Sequence, residues 1–263
     1  MALSPTAPVE ILNTRFHPVV MNDAVDLVFE WAKAPLRTLH SIVTINVALL
    51  MMCRSNAELA HAVEEADLVV ADGMPLVWAS HWLSPGLPER VAGVDLMELV
   101  LRKGASSGLR IFLLGTTQER LDVLQAKIRR EYPGLIIAGA RNGYFRPTED
   151  QRVVQEIRES GADVLFIGMP APTKEIWTEH HRHELGVAVV VGVGGGFDVI
   201  AGFIPRAPKF LQRIGFEWAW RLLNEPRKLW KRYLVTNSQF IAVLVAELAG
   251  RLVGGWHGPR SAQ

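Results

Sequence analysis

Six short apolar runs, each followed by a segment of helical period, limit what this chain can fold into more than any other feature. The runs cover residues 41–45, 67–71, 109–114, 135–138, 163–167 and 187–193. Continuous β-branched and aliphatic runs without polar alternation suit strands buried on both faces, hence a largely parallel sheet. Between them, Val25, Val28, Phe29 and Ala32 recur at helical spacing, as do Leu121, Leu124 and Ile128 before Pro133 and Gly134. Thr148 with Gln151 reads as a capping box opening a helix that buries Val154 and Ile157. The pattern predicts an α/β fold: a largely parallel, Rossmann-like sheet flanked by helices, joined by right-handed crossovers. In such sheets ligands bind beyond the carboxyl ends of the strands.

The pattern changes near Pro205. Between Arg206 and Arg232 stand eight basic residues (Arg206, Lys209, Arg213, Arg221, Arg227, Lys228, Lys231 and Arg232) opposed only by Glu217 and Glu225. Trp218, Trp220, Trp230 and Tyr233 are interleaved with them. The expected division is an α/β core over 1–204 and a basic, aromatic, helical C-terminal appendage over 205–263. At 240–253, Ile241, Leu244, Val245, Leu248 and Leu252 predict an amphipathic surface helix. Glu247 and Arg251 interrupt the longest apolar stretch, so no run of about 18 apolar residues is expected to span a bilayer. Residues 1–8 lack the basic cluster and apolar run of a secretory signal. The only cysteine, Cys53, allows no disulfide within the chain, which suits a reducing compartment.

The strand ends carry the candidate chemistry. Thr44 and Asn46 close the first run, and the second delivers Asp72 followed by Gly73. A carboxylate at a strand's carboxyl end, beside a glycine, can serve as a general base; equally, Asp72 can cap the next helix. Pro170 to Glu175 places Lys174 at a helix start, either as part of an anion site or as a surface lysine. Gly192 to Gly196, with Gly194 and Gly195 at its centre, is half of a dinucleotide fingerprint; Phe197 breaks it. A glycine loop there still suits a nucleotide diphosphate. His180, His181 and His183 lie on an expected helix where only the first and third share a face, so a solvated face is expected rather than a metal. No Asp-x-Asp occurs, which favours neutralising a diphosphate with Arg, Lys and helix N-termini.

In order, the chain shows Thr44-x-Asn46, Asp72-Gly73, Glu89-Arg90-Val91-x-Gly93-x-Asp95, Gly143-Tyr144-Phe145 and Gly192 to Phe197. Arg206-Ala207-Pro208, Glu217-Trp218, Arg221-Leu222, Glu225-Pro226-Arg227 and Arg232-Tyr233 follow. This set resembles the WecG/TagA/CpsF family of bacterial glycosyltransferases, and most of all its xanthan-pathway β-1,4-glucosyltransferase branch. The resemblance implies an inverting, metal-independent transfer from a UDP-sugar to an undecaprenyl-diphosphate-linked sugar, with no cofactor. It implies Asp72 as catalytic base and Thr44, Asn46 and Arg90 as pocket residues. C-terminal arginines would neutralise the departing UDP: Arg206 and Arg221 are expected to turn inward, with Arg227 and Arg232 also in substrate binding. Where the family commonly has glutamine in Gly-x-Pro-Lys-Gln-Glu, this chain has Lys174. That departure fits plain glucose as donor sugar, with N-acetylmannosamine or its uronic acid as the alternative within the family.

The partners expected are thus a UDP-sugar, a polyprenyl-diphosphate-linked sugar and an anionic membrane surface. Nucleic acid is not among them, and self-association is left open. The expected location is peripheral, on the inner face of a bacterial cell membrane. Two rival readings, an NAD-dependent oxidoreductase and a membrane or nucleic-acid adaptor, lack respectively a complete glycine fingerprint and a role for Asp72.

Overall fold

The computed structural model describes residues 7–35, 37–213 and 215–253. The side chains of Arg213, Lys228, Leu252 and Val253, and residues 1–6, 36, 214 and 254–263, lie outside the described residues. A hairpin of β1 (Val9–Ile11) and β2 (Thr14–Phe16) precedes α1 (Met21–Ala32), β3 (His40–Ile45), α2 (Val47–Cys53) and α3 (Ala57–Glu64). Then come β4 (Leu68–Ala71), α4 (Met74–Leu83), α5 (Gly93–Gly104), β5 (Arg110–Gly115), α6 (Gln118–Glu131) and β6 (Ile136–Arg141). Next are α7 (Asp150–Ser160), β7 (Val164–Gly168), α8 (Thr173–His180), β8 (Val189–Gly192) and α9 (Gly196–Ala201). Three helices end the described chain: α10 (Lys209–Arg213), α11 (Glu217–Asn224) and α12 (Pro226–Val253).

All six predicted runs are strands. They form one sheet in the order β4-β3-β8-β7-β5-β6, with every neighbouring pair parallel. Side chains of a strand alternate between faces, and here both faces are covered. Ile42, Leu68, Val70, Ile111, Leu113, Val164, Phe166, Val189 and Val191 point into one cluster, with residues of α1, α5, α6 and α9. Their alternates split between two clusters on the other face. Val43, Ile45, Val69 and Ala71 meet the hairpin, α2, α4 and α12. Phe112, Leu114, Leu165, Ile167 and Val190 meet α7 and Trp177 of α8.

Several local expectations are corrected. The helix at 148–151 opens differently: residues 147–149 make one 3₁₀ turn, and the Arg146 N–H donates to the Glu149 carboxylate at 3.0 Å. Glu149, rather than Thr148 with Gln151, therefore caps this start. The histidines do not share a helix face, because α8 ends at His180. His181 instead bonds Asp150 at 2.9 Å, and His180 pairs with Glu58 at 2.9 Å. At the C-terminus there is one continuous helix of 28 residues, not a separate amphipathic helix beginning at 240. Its stretch Leu229–Arg251 is long and apolar enough, by length and composition, to cross a membrane, contrary to the count of uninterrupted apolar residues. In the fold it lies along the core: Leu229, Phe240 and Leu244 are buried, the last two in the cluster shared with α2 and α4. Leu234, Ile241 and Val245, farther round the helix, are exposed.

Close backbone packing at the strand ends needs glycine. Gly115, at the end of β5, has φ of 145°, and a Cβ there would stand 2.5 Å from the carbonyl carbon of Gly168 at the end of β7. Backbone cannot yield as a side-chain tip can. Gly115→Ala is therefore expected to destabilise the fold by about 2 kcal/mol or more, read as a fall in denaturation midpoint, while an exposed control such as Val123→Ala changes it little.

Candidate functional site

The carboxyl ends of β3, β4 and β8 open into one cleft of about 490 Å³, roofed by the C-terminal helices. Because the strands are parallel neighbours in the order β4-β3-β8, their three end loops reach the same side together. Asn46 and Asp72 line the cleft from the core, and so does Arg90 from the loop before α5. Arg221, Glu217 and Trp218 line it from α11, with Tyr233, Asn237 and Phe240 from α12.

Asp72 is the residue directly after β4, and its N–H donates to the Ile45 carbonyl at 2.7 Å. That bond extends the strand pairing by one residue and fixes where the side chain starts. The side chain is half-buried, open toward the cleft and crowded by protein elsewhere. Burial is the largest influence on its carboxyl and pushes it up to about 7. Arg90 pulls the other way, Glu217 adds to the rise, and Arg221 and a hydrogen bond from the Gly93 N–H pull it down. A carboxyl at about 7 is poised to take a proton near neutral pH. The alternative role as a helix cap is not seen: α4 is capped by Gly73 and has no side-chain bond at its start.

Asn46 caps α2, accepting from the Leu49 N–H at 3.1 Å through its side-chain oxygen. The oxygen is committed, so the amide nitrogen is what Asn46 offers to a ligand. Thr44 is buried beneath the cleft, its hydroxyl donating to the Gly192 carbonyl at 3.3 Å. It ties β3 to the start of the glycine loop instead of lining the cavity. In that loop the Gly194 N–H bonds Ile167 at 3.1 Å and the Gly196 N–H bonds Val193 at 2.9 Å. Within the loop expected to meet a phosphate, the amides of Gly194 and Gly196 are thus already paired. Gly195 has a different use: a Cβ there would stand 2.8 Å from a terminal nitrogen of Arg221. Its missing side chain lets the guanidinium lie against the loop.

Arg90 is mostly buried and shared by two carboxylates. It bonds Asp95 of α5 at 3.0 Å and makes a close ion pair with Glu217 of α11. Asp95 also pairs with Arg206, which reaches Glu98 at 3.0 Å. Arg206 therefore turns inward, but onto α5, and is not part of the cleft wall. Arg221 does turn into the cleft, 3.8 Å from Glu225. Arg227 and Arg232 stand exposed on α12, away from the cleft lining, and Arg232 lies 5.6 Å over the Tyr233 ring.

Lys174 is neither on the surface nor in the cleft. It is buried under Gly192, in a close ion pair with its neighbour Glu175, which is also buried. A buried lysine keeps its charge only with such a partner. Cys53 is buried as well, and burial pushes its thiol up to about 11, so it is inert as a nucleophile at neutral pH.

Sequence reasoning did not single out Glu217, Asp95 or the aromatic roof as site residues. Glu217 reads there as one of two acids among eight bases, and its partner Arg90 lies 127 positions earlier.

The model of the glycosyl transferase WecG/TagA/CpsF family matches residues 9–253. A relative from Bacillus spizizenii, an N-acetylglucosaminyldiphosphoundecaprenol N-acetyl-β-D-mannosaminyltransferase, is 34% identical over 209 residues. That alignment covers 79% of this chain and 80% of the relative. The match spans the sheet, the cleft and the C-terminal roof, and the chain belongs to the WecG/TagA/CpsF family of glycosyltransferases.

Proposed function

We propose that this glycosyltransferase moves an N-acetylmannosamine-type sugar from a UDP donor onto the N-acetylglucosamine of a polyprenyl-diphosphate acceptor, with inversion. The observation that carries the reading is Asp72, half-buried at a strand end with Arg90 and Arg221 beside it. Inverting transfer needs one base for the acceptor hydroxyl and cations for the departing diphosphate. Asp72 takes the hydroxyl proton as the acceptor oxygen bonds to the sugar's anomeric carbon. The bond to the donor phosphate oxygen breaks, and Arg221 and Arg90 offset the charge that develops on UDP. The donor sugar and acceptor follow the name of the Bacillus relative. A glucosyl donor is the second reading, favoured by Lys174 at the family's glutamine position, though its burial against Glu175 puts it beneath the loop and away from the cleft lining.

The purified chain, offered UDP-N-acetylmannosamine or UDP-glucose with N-acetylglucosaminyl- or glucosyl-diphosphate lipid, is expected to extend the first acceptor with the first donor. Mass spectrometry of the lipid product reads the outcome, and a hexose-only product would establish the glucosyl reading instead.

Asp72→Asn keeps the shape and removes the basicity. It is expected to lower turnover by about a hundredfold or more while UDP binding, read by calorimetry, stays within about threefold of the parent. In the parent, activity is expected to fall as pH drops through about 7, because only the ionised Asp72 accepts a proton. The same raised value acts on stability with the opposite sign. The folded chain holds this proton more tightly than the unfolded one, so its contribution is full below about pH 4 and lost as pH rises through about 7. Asp72→Asn is therefore expected to be more stable than the parent at pH 8, by about 1 kcal/mol or more, in urea unfolding. Equal stability there would mean that Asp72 is not crowded by protein as described.

The acceptor class implies work at a membrane, and the exposed apolar side of α12 is the surface suited to it. Leu234 and Val245 are each more than half exposed and outside the cleft lining, so changing them leaves core and cleft intact. Leu234→Glu with Val245→Glu is expected to reduce sedimentation with anionic liposomes severalfold, with an unchanged melting temperature. Undiminished sedimentation would move the contact elsewhere.

A further inference from the structure

Glu217 comes from the C-terminal segment, yet its partner Arg90 belongs to the core. In one linked set of ion pairs, Arg90 and Arg206 face three carboxylates, Asp95, Glu98 and Glu217, and Glu98 at its rim also pairs with the exposed Arg102 at 3.0 Å. Glu217 is the only one of those carboxylates supplied from beyond α9, and it lines the same cleft as Asp72. The set is poorly solvated: the side chains of Arg90, Asp95 and Glu217 are 14%, 22% and 21% exposed. In such surroundings a charge acts on its neighbours far more strongly than it does in water. The groups bearing on Asp72 are Arg90, the Gly93 N–H of α5, and Glu217 and Arg221 of α11. Among the described residues, Tyr233 is the one titratable group that α12 adds to the cleft wall, and α2, α4, α9 and α10 add none.

We propose that Glu217 is a positioning residue which pairs with Arg90 from the C-terminal side of the cleft, offsets its charge, and so keeps Asp72 a base. Without an acid at 217, Arg90 would be shared with Asp95 alone, and its unbalanced charge would hold Asp72 ionised but weakly basic. Docking of α11 thus delivers two opposed charges beside Asp72: Arg221, suited to the leaving diphosphate, and Glu217, which restrains Arg90. The inference rests on the reading of Asp72 as the base, and a measurement that does not depend on turnover can separate the two.

Protein labelled with ¹³C at aspartate carboxyls gives Asp72 a resonance, assigned by its absence from Asp72→Asn. In the full chain the Asp72 titration midpoint is expected to fall by about one unit in Glu217→Gln, which keeps the size and a hydrogen-bond acceptor but loses the charge. Glu217→Asp, which restores the charge, is expected to return the midpoint toward the parent value. The acid limb of kcat/KM should move with the midpoint, and kcat on the alkaline plateau should fall severalfold while the UDP-sugar KM changes little. A midpoint unmoved in Glu217→Gln, or displaced equally in Glu217→Asp, overturns the proposal. A midpoint that moves while the acid limb stays in place supports the Glu217 role and removes Asp72 from the catalytic step.

Discussion

Everything at the cleft depends on burial of one sheet from both sides. A one-residue slip turns every side chain of a strand to the opposite face, so a strand packed into a separate apolar cluster on each face would have to exchange the contents of both. β3, β4 and β8 are held in this way. Their ends therefore stop at set positions, and the side chains just beyond them occupy defined places over the sheet. The Asp72 N–H bonding to Ile45 carries that order one residue past the last strand pair.

On this rigid floor the electrostatics are built from few groups. Burial raises the Asp72 carboxyl, which costs stability, and nearby cations return only part of it. Such tension is common where chemistry is done, since a fully satisfied carboxylate would be a poor base. Lys174 and Glu175 show the opposite solution in the same protein. Those two charges are buried deeper than Asp72, but they neutralise each other directly. One carboxylate is left basic by its surroundings, while the other is made part of the packing.

The sheet was legible in the sequence because full burial writes itself as uninterrupted β-branched runs, and each of the six runs became a strand. The hairpin was not. Its strands have three residues each, and its turn places Leu12 and Asn13 at positive φ without the glycine that usually marks such a turn. Asp72, Asn46 and Arg221 could be picked out because strand ends and an unusual run of arginines draw attention to them, and Arg90 through the motif that resembles the family. Glu217 could not, since its meaning lies in a contact between distant segments. Lys174 misled for a simpler reason: a lysine at a helix start suggests an anion outside the protein, but its anion is the adjacent residue. The long helix was divided because charges at 227–232 obscured a continuous helical stretch.

The way α12 is seated has a mechanical consequence. Phe240 and Leu244 lock it into the cluster that also holds α2 and α4, the helices that begin at the cleft floor. Rotation about its own axis would pull those two side chains out of the core, so the direction in which Leu234 and Val245 face is set by the same packing. Helix and cleft wall are thereby packed as one unit. Any flat surface that the exposed side rests on meets the cleft at one inclination and one height, and the distance from that surface to Asp72 becomes a built-in dimension of the molecule. A substrate tethered to the surface by a linker of fixed reach would be measured against it.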